Sequence, residues 1–135
     1  MSDVEIDLDI VGAKYDTRAV IKIGNGNENI DADIRMKNCK IDASDAEKRA
    51  IITVPAKNSA AITLENCEFL TQSGMHIRTL GDGANRGSAT LNYNAACVWK
   101  TGGVSTTNIY DAGVTMLLPS LLLSYNKMYM WRCMA

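Results

Sequence analysis

Two short stretches decide the fold of this chain. Residues 34–41 read Ile-Arg-Met-Lys-Asn-Cys-Lys-Ile, and residues 62–69 read Ile-Thr-Leu-Glu-Asn-Cys-Glu-Phe. The second stretch follows the first at an offset of 28 residues, with Asn-Cys at the same place and apolar residues at the same three positions. Charged or polar residues fill the positions between the apolar ones. This alternation is typical of β-strands with one buried face.

Further strand-like runs accompany both stretches, and a weaker third unit ends near Cys97. These predicted strands cover residues 20–23, 51–54, 76–80 and 89–94. Residues 104–118 are predicted to begin a fourth unit. No helical spacing lies between the runs, so a period of about 25–30 residues made of short strands predicts a β-solenoid.

The repeated Asn-Cys pair predicts a corner that recurs in each coil. Successive coils of a solenoid stack about 4.8 Å apart, which brings equivalent residues into register. Cys39 and Cys67 would stack as small inward residues. The Asn before each cysteine suits a tight bend, because Asn tolerates left-handed backbone and bonds to neighbouring turns. Stacked Asn side chains can also bond to one another.

The pattern Ile-x-Met-x-Asn-Cys-x-Ile, repeated as Ile-x-Leu-x-Asn-Cys-x-Phe, resembles the coil consensus of right-handed parallel β-helix proteins. This is the pectate-lyase-like superfamily, which also includes phage tailspikes, and the resemblance covers about residues 19–100. It implies an all-β fold: a short right-handed parallel β-helix of three to four coils, with an N-terminal edge strand and a C-terminal apolar strand or hairpin. A β-sandwich stays open as an alternative, because about eight short strands suit it too.

The length of 135 residues predicts a single domain. Residues 1–18 are interpreted as an N-terminal strand and cap, residues 19–113 as coils, and residues 114–135 as an apolar assembly segment. Fourteen basic residues against fifteen acidic ones leave no positive surplus, so no nucleic-acid partner is expected. The first ten residues hold four acids and no base, which argues against a standard secretory leader.

Residues 4–10 alternate strictly and predict a strand with an acidic outer face. Glu5, Asp7 and Asp9 could be calcium ligands, but the Gly and distal Glu of a calcium loop are missing. A solvated or partner-facing strand is therefore preferred, and no metal site is predicted.

The C-terminal residues 114–135 are rich in Leu, Met and aromatic side chains, yet polar residues and Pro119 interrupt every apolar run. No run approaches the roughly 20 residues of a membrane span, so no membrane partner is expected. A hairpin turning at residues 126–127 is plausible. A solenoid of three or four coils has two open ends with unpaired edge strands, and this apolar segment could cover them by contacts between copies of the chain. We therefore expect a homotrimer. The predicted subunit or shell contacts are Leu121, Leu122, Leu123, Tyr129 and Trp131.

Side chains that could carry chemistry are few. His76 is the single histidine, and its strand-like surroundings favour an ordinary side chain on a sheet face over a catalytic one. The cysteines at 39, 67, 97 and 133 form no CxxC pair, which argues against a metal or redox motif. Cys39 and Cys67 are expected to form a reduced packing ladder, with a disulfide between them left open. No cofactor is predicted.

Paired carboxylates are the main candidates for an enzyme, because glycoside hydrolysis needs two of them at a defined separation. The candidates are Asp31, Asp33, Glu65 and Glu68. However, the offset of 28 puts Lys37 beside Glu65 and Lys40 beside Glu68. Cross-coil ion pairs of about 0.2–1 kcal/mol each are the preferred interpretation.

Residues 81–87 form a glycine-rich stretch without the Lys-Ser/Thr ending of a phosphate-binding loop. A loop that projects between two strands is expected. Asn85 and Arg86, at its tip, are predicted partner contacts.

The resemblance implies a truncated β-helix used as a building block, since polysaccharide-cleaving relatives usually have many more coils. Small virion proteins of tailed phages, including trimeric capsid cement or decoration proteins, are similar to this chain in size and in having a single small domain. We therefore expect a non-enzymatic virion protein, made in the host cytoplasm, that binds the major capsid protein on the capsid surface. The alternative is a tailspike-like module that binds or cleaves carbohydrate.

Overall fold

Each turn of the chain is built from three short strands joined by corners. The computed structural model describes residues 5–7, 19–24, 29–44 and 48–117, and within these residues the chain forms a parallel β-solenoid of about three turns. The predicted all-β fold is therefore confirmed, and the antiparallel β-sandwich is not adopted. The strands are β1 Glu5–Asp7, β2 Ala19–Lys22, β3 Asp31–Lys37, β4 Lys40–Ala43, β5 Ala50–Val54, β6 Ser59–Glu65, β7 Glu68–Thr71, β8 Ile77–Thr79, β9 Ser88–Tyr93, β10 Val98–Thr101, β11 Val104–Ser105 and β12 Val114–Met116.

The strands stack into three sheets that run along the solenoid. Sheet 1 contains β2, β5 and β8; sheet 2 contains β3, β6, β9 and β12; sheet 3 contains β1, β4, β7, β10 and β11. Coil 1 is therefore β2–β4, coil 2 is β5–β7 and coil 3 is β8–β10. The strand β1 precedes coil 1 on sheet 3, and β12 begins a fourth level on sheet 2. These elements match the predicted repeat units.

The sequence offset is the register of sheet 2. Ile34 pairs with Ile62, 28 residues later, and Ile62 pairs with Leu91 in coil 3. Inward side chains such as Ile62 and Phe69 are at most 1% exposed. The middle strand β5 is buried at all five residues, so sheet 1 is covered on both faces there. Coil 2 thus supplies the centre of the core.

The corner between sheets 2 and 3 contains a column of asparagines. Asn38 and Asn66 have φ values of 56° and 53°, the left-handed region. The Asn66 amide donates to Asn38 Oδ1 at 3.2 Å, and the Asn94 amide donates to Asn66 Oδ1 at 3.0 Å. Asn94 Oδ1 also accepts from the Asn66 backbone N–H at 3.1 Å. The predicted asparagine corner is confirmed, and it extends to coil 3.

The cysteines that follow the asparagines form no disulfide and pack at the same corner. Cys39 and Cys67 are buried, and Cys97 is half-buried. The Cys39 thiol donates to the Lys37 carbonyl at 3.4 Å, and Cys67 donates to the Glu65 carbonyl at 3.2 Å. Burial raises the pKa of the Cys67 thiol. The reduced ladder is therefore what this structure contains. Cys133 lies outside the described residues.

The expected cross-coil ion pairs do not form, although the strand register that predicted them is present. Lys37 pairs with Glu65 and Lys40 with Glu68 in the strand register, as predicted. In the described part of the chain, neither couple is joined by an N–O distance of 4.0 Å or less. An ion pair between long exposed side chains gains little free energy in water, because the attraction is screened and both side chains lose conformational freedom. Neighbouring opposite charges therefore need not form a direct contact.

The chain reverses direction after coil 3. Gly102 and Gly103 form a two-residue turn with φ values of 61° and 81°, and β11 runs antiparallel to β10. Positive φ at both central residues is the requirement of a type I′ hairpin turn, which favours glycine. The fourth unit predicted for residues 104–118 begins at β12, but this hairpin was not predicted, although the Gly-Gly pair between two apolar runs signals one.

Replacing Asn66 with Ala tests the asparagine column. We expect a loss of about 2 kcal/mol in the free energy of unfolding, because Ala resists left-handed backbone and removes two side-chain hydrogen bonds of the column, one to Asn38 and one from Asn94. Asn66→Gly accepts the backbone and should lose about half as much. Asn92→Ala, on the outward face of β9, is the matched control and should have little effect. Urea unfolding measures all three; equal losses for Ala at 66 and at 92 would contradict the ladder's role.

Candidate functional site

His76 lies in the core rather than on an exposed sheet face. It is 0% exposed, and its ring meets the Trp99 ring edge-on at a centroid distance of 5.2 Å. Its Nε2 lies 3.2 Å from the Thr101 hydroxyl, which lies 3.0 Å from the Thr71 hydroxyl. Thr71 in turn donates to the Gly74 carbonyl at 3.0 Å. This is a buried polar network that joins coils 2 and 3, and its histidine is out of reach of a substrate in solution.

Burial keeps His76 neutral. It lowers the pKa of the imidazole to about 4, against a smaller opposing effect from the Lys100 backbone. The Nδ1 atom is buried without a hydrogen-bond partner. A neutral, enclosed ring with one bonded nitrogen fits a role in packing the core, which the sequence did not predict.

The solenoid should lose stability as the pH falls from about 6.5 to about 4. In this window His76 binds a proton in the unfolded chain but stays neutral in the folded one. Proton binding therefore stabilises the unfolded state and lowers the free energy of unfolding. A shift of this size corresponds to about 3 kcal/mol in total. Hydrogen bonds from Ser44 lower the pKa of the Asp42 carboxyl below 3.8. Protonation of Asp42 therefore removes further stability only at pH values below that of the histidine window. Urea unfolding of His76→Gln at pH 4–7 should give a flatter dependence; an unchanged slope would contradict this assignment.

The candidate carboxylates are distributed over two sheets. Asp31, Asp33 and Glu65 lie on sheet 2, whereas Glu68 lies on sheet 3. The Ser59 hydroxyl donates to Asp31 at 2.7 Å. Arg35 donates to both oxygens of Asp33, at 3.2 and 3.1 Å, and this contact raises the pKa of the guanidinium. The two acids on β3 therefore already have partners on the solenoid surface.

A shallow groove of about 350 Å³ crosses the outward face of sheet 2 beside Asp31. Its walls are small side chains, three alanines beside four hydroxyl-bearing residues and one aspartate, so it combines a few hydrogen-bonding groups with small apolar surfaces. The lining residues are Asp31, Ser59, Ala60, Ala61, Ser88, Ala89, Thr90 and Thr115.

The glycine-rich loop folds back onto the solenoid. It contains a short 3-10 turn at Gly83–Asn85. The Arg86 Nε donates to the Thr79 hydroxyl at 2.8 Å, and its Nη2 lies 3.3 Å from Asp111 Oδ2. The Asn85 side chain stays exposed, while its carbonyl accepts from the Lys57 N–H at 2.8 Å. The role of Asn85 and Arg86 as partner contacts stays a prediction. Within the chain, Arg86 holds the glycine-rich loop against Thr79 and Asp111.

Asp111 closes the last coil, a role that the sequence analysis missed. It accepts hydrogen bonds from the Thr79 N–H and hydroxyl, both at 2.8 Å, and from the Gly113 N–H at 3.1 Å. A side chain at Gly113 would collide with Thr79. The Asp-Ala-Gly turn between two apolar residues was the available signal.

Removing the Asp111 carboxylate should loosen the last coil without unfolding the rest. Asp111→Ala is expected to raise the hydrogen-exchange rate of the β12 amides by at least about tenfold, because the bonds that join β8 to the residues before β12 disappear. Asp82→Ala, in the neighbouring exposed loop, is the control. Exchange at β12 that is the same in both variants would show that Asp111 does not close the coil.

Both ends of the solenoid present apolar side chains. At the last coil, Val98, Val104 and Leu117 are 38%, 68% and 43% exposed. At the first coil, five apolar residues are only half-buried against the core: Val20, Ile21, Ile30, Ala32 and Ile34. The predicted assembly residues Leu121, Leu122, Leu123, Tyr129 and Trp131 lie outside the described residues, in the segment that follows Leu117.

Comparison with known proteins gives no relatives: no family model, no curated protein and no solved structure matches this chain. Within residues 5–7, 19–24, 29–44 and 48–117, no group of three or more His, Cys, Asp or Glu side chains could hold a metal ion. The same residues include no helix long and apolar enough to cross a membrane.

Proposed function

We propose that this chain is a non-enzymatic structural protein of a virion, a trimeric cement or decoration protein that stabilises a phage capsid. It would act on the capsid surface by bridging neighbouring copies of the major capsid protein. A protein that binds only the assembled capsid stabilises the capsid by its free energy of binding.

The observation that carries the proposal is the shortness of the solenoid together with its incompletely covered ends. Three coils leave a large fraction of the stack at its two ends, where apolar residues of coil 1 are half-buried and Val104 is 68% exposed. Exposed apolar surface at both ends of a small β-solenoid is what an assembly component needs, because burying it against neighbours contributes free energy to association.

The arrangement of polar groups also favours a structural role. His76 is enclosed and neutral, Asp33 is bound by Arg35, and Asp111 is used to close the last coil. Asp111 joins β8 to the residues before β12, His76 packs in the core, and Asp33 is bound within its own strand, so each group has a partner or a packing role inside the solenoid. A cement protein needs no group free for chemistry.

The groove on sheet 2 favours the second candidate, a module that binds or cleaves carbohydrate. Asp31, Ser59, Ser88 and Thr90 could donate to or accept from sugar hydroxyls. No aromatic side chain is among the lining residues, and stacking on aromatic rings is a main source of affinity for sugars. We rank this candidate second.

The mass of the purified protein tests the assembly proposal. We expect sedimentation to give three times the chain mass, and the variant ending at residue 117 to give the mass of one chain. The matched control replaces Leu121, Leu122 and Leu123 with Ser and keeps the length, and it should also be monomeric. A monomer for the full chain would refute the trimer.

A binding experiment tests the partner. Capsids that lack decoration proteins, from tailed phages whose genomes encode this chain, should bind the full-length protein and withstand heating better with it. Binding or cleavage of a panel of neutral and acidic polysaccharides, with no binding to capsids, would instead select the second candidate.

A further inference from the structure

An inward-facing apolar side chain is left uncovered at the end of the solenoid beyond coil 3. Val104 lies opposite Thr101 in the antiparallel pair of β10 and β11. The Thr101 hydroxyl lies 3.2 Å from Nε2 of the buried His76, so this side of β10 faces the core. Opposite residues of an antiparallel pair project to the same face, and Val104 therefore points inward as well. It is nevertheless 68% exposed, so the core is open at this point.

Three other inward positions at the same end are only half-buried: Tyr93, Tyr110 and Met116. Their register partners one coil earlier are Leu64, Ile77 and Leu91, and each of these is at most 1% exposed. The end of the stack thus lacks the cover that the coils below it receive from their successors. Together with Val104, the three half-buried residues form the upper apolar face.

Two aromatic rings attach the upper apolar face to the core. The Tyr93 ring meets the buried Trp99 ring edge-on at a centroid distance of 5.2 Å. Burial raises the pKa of Tyr93, and the neighbouring Tyr110 adds to the increase. The two tyrosines therefore lie close together and are partly withdrawn from water. Aromatic side chains within an apolar patch are typical of surfaces that bind another chain.

The strand β11 prevents the chain from completing a fourth coil. In each earlier coil, the strand on sheet 2 leads to a strand on sheet 3 that pairs with the one below it. After β12 the equivalent place is the upper edge of β10, but β11 already pairs there with Lys100 and Thr101. The Thr106 N–H also donates to the Trp99 carbonyl at 3.0 Å. The residues after Leu117 must therefore take another path.

The last described residues direct the chain past the side of its own solenoid. The Leu117 N–H donates to the Leu91 carbonyl at 2.8 Å, so β-pairing continues to the end of β12 and one residue beyond. Pro119 restricts residue 118 to extended conformations, which favours continuation in the same direction. This direction leads toward the corner between sheets 2 and 3, and not back over the upper apolar face.

We propose that residues 118–135 form an arm that binds the upper apolar face of a neighbouring copy in the trimer. The arm contains four Leu, three Met and three aromatic residues, with two basic residues and no acidic one. Its 18 residues span up to about 60 Å when extended, which is long enough to reach a neighbouring copy. Leu121, Leu122 and Leu123 would lie over Val104 and the two tyrosines, and so complete the core that β11 leaves open.

This inference rests on the proposed trimer and names the surface that the C-terminal residues of each copy bind. Each copy gives one arm and receives one, so the contact joins two different surfaces. A closed ring satisfies both surfaces of every copy. Binding of the arm removes apolar area of both copies from water, which is the source of the association free energy.

A charge on the receiving surface tests the contact. Val104 is largely exposed in the single chain, so Val104→Glu should fold normally, but its carboxylate would lose hydration under a bound arm. We expect sedimentation to give the mass of one chain at concentrations where the wild type gives three. Val98→Glu makes the same change on the outward face of sheet 3 and should stay trimeric. Urea unfolding of both variants checks that they fold.

A mixture of two defective chains tests whether the arm passes to another copy. The variant ending at residue 117 keeps the receiving surface and lacks the arm, whereas full-length Val104→Glu keeps the arm and has a defective surface. Mixed together, they should form a complex with one chain of each, because one intact contact remains. Val104→Glu that also ends at residue 117 is the control and should form no complex. Failure of the first mixture to associate would contradict exchange of the arm.

Photo-cross-linking identifies what covers the upper apolar face. The photoreactive residue p-benzoylphenylalanine is placed at position 104 of the full-length protein, where its excited ketone inserts into a nearby C–H bond. We expect adducts with the mass of two chains on a denaturing gel, and mass spectrometry should locate the bond within residues 118–135. The same residue at position 98 is the control and should give few such adducts.

The outcomes separate this inference from the proposed function. A monomeric wild type would refute the trimer, together with the arm exchange that rests on it. A trimeric wild type with an equally trimeric Val104→Glu would overturn the exchange and leave the trimer standing. Adducts of position 104 that keep the mass of one chain would show that the arm covers its own copy, and they would overturn the exchange as well.

Discussion

The structure depends on one constraint: each coil must repeat the path of the coil before it at a separation of about 4.8 Å. Coils 1 and 2 have a left-handed Asn at the same place in their corners, whereas the longer corner of coil 3 keeps the hydrogen-bonded Asn without the left-handed conformation. Asn38 and Asn66 have nearly equal φ values, and the hydrogen bond that the Asn66 side-chain amide donates to Asn38 Oδ1 holds the two corners in alignment. The cysteines, the sheet register and the buried centre of coil 2 follow from that alignment.

The sequence predicted the elements that recur and missed those that occur once. The Asn-Cys pair and its flanking apolar residues appear twice, so their alignment gave the register of sheet 2 directly. Asp111 makes three hydrogen bonds to residues distant or adjacent in the chain, but it has no counterpart in other coils. A contact that is not repeated leaves no periodic signal, and only the folded path reveals it.

The sequence also predicted only part of the candidate site, because alternation shows which face of a strand is exposed but not how the coils pack. Alternation assigned the outward faces correctly, and Asp31, Asp33 and Glu65 are exposed as expected. Alternation alone did not place His76, because whether a strand residue faces inward depends on where the strand begins relative to its corner. Its position beneath Trp99 depends on packing between coils, which composition and spacing do not describe.

The antiparallel strand β11 has a consequence for growth of the stack. A parallel solenoid presents, at its last coil, the same template that its own coils used, so further coils from other chains could continue it without end. By turning back at Gly102 and Gly103, the chain covers the edge of β10 with a short strand of the opposite direction. At Lys100 and Thr101 the edge of sheet 3 is therefore paired with the chain's own strand, which leaves no place there for a parallel strand of another chain.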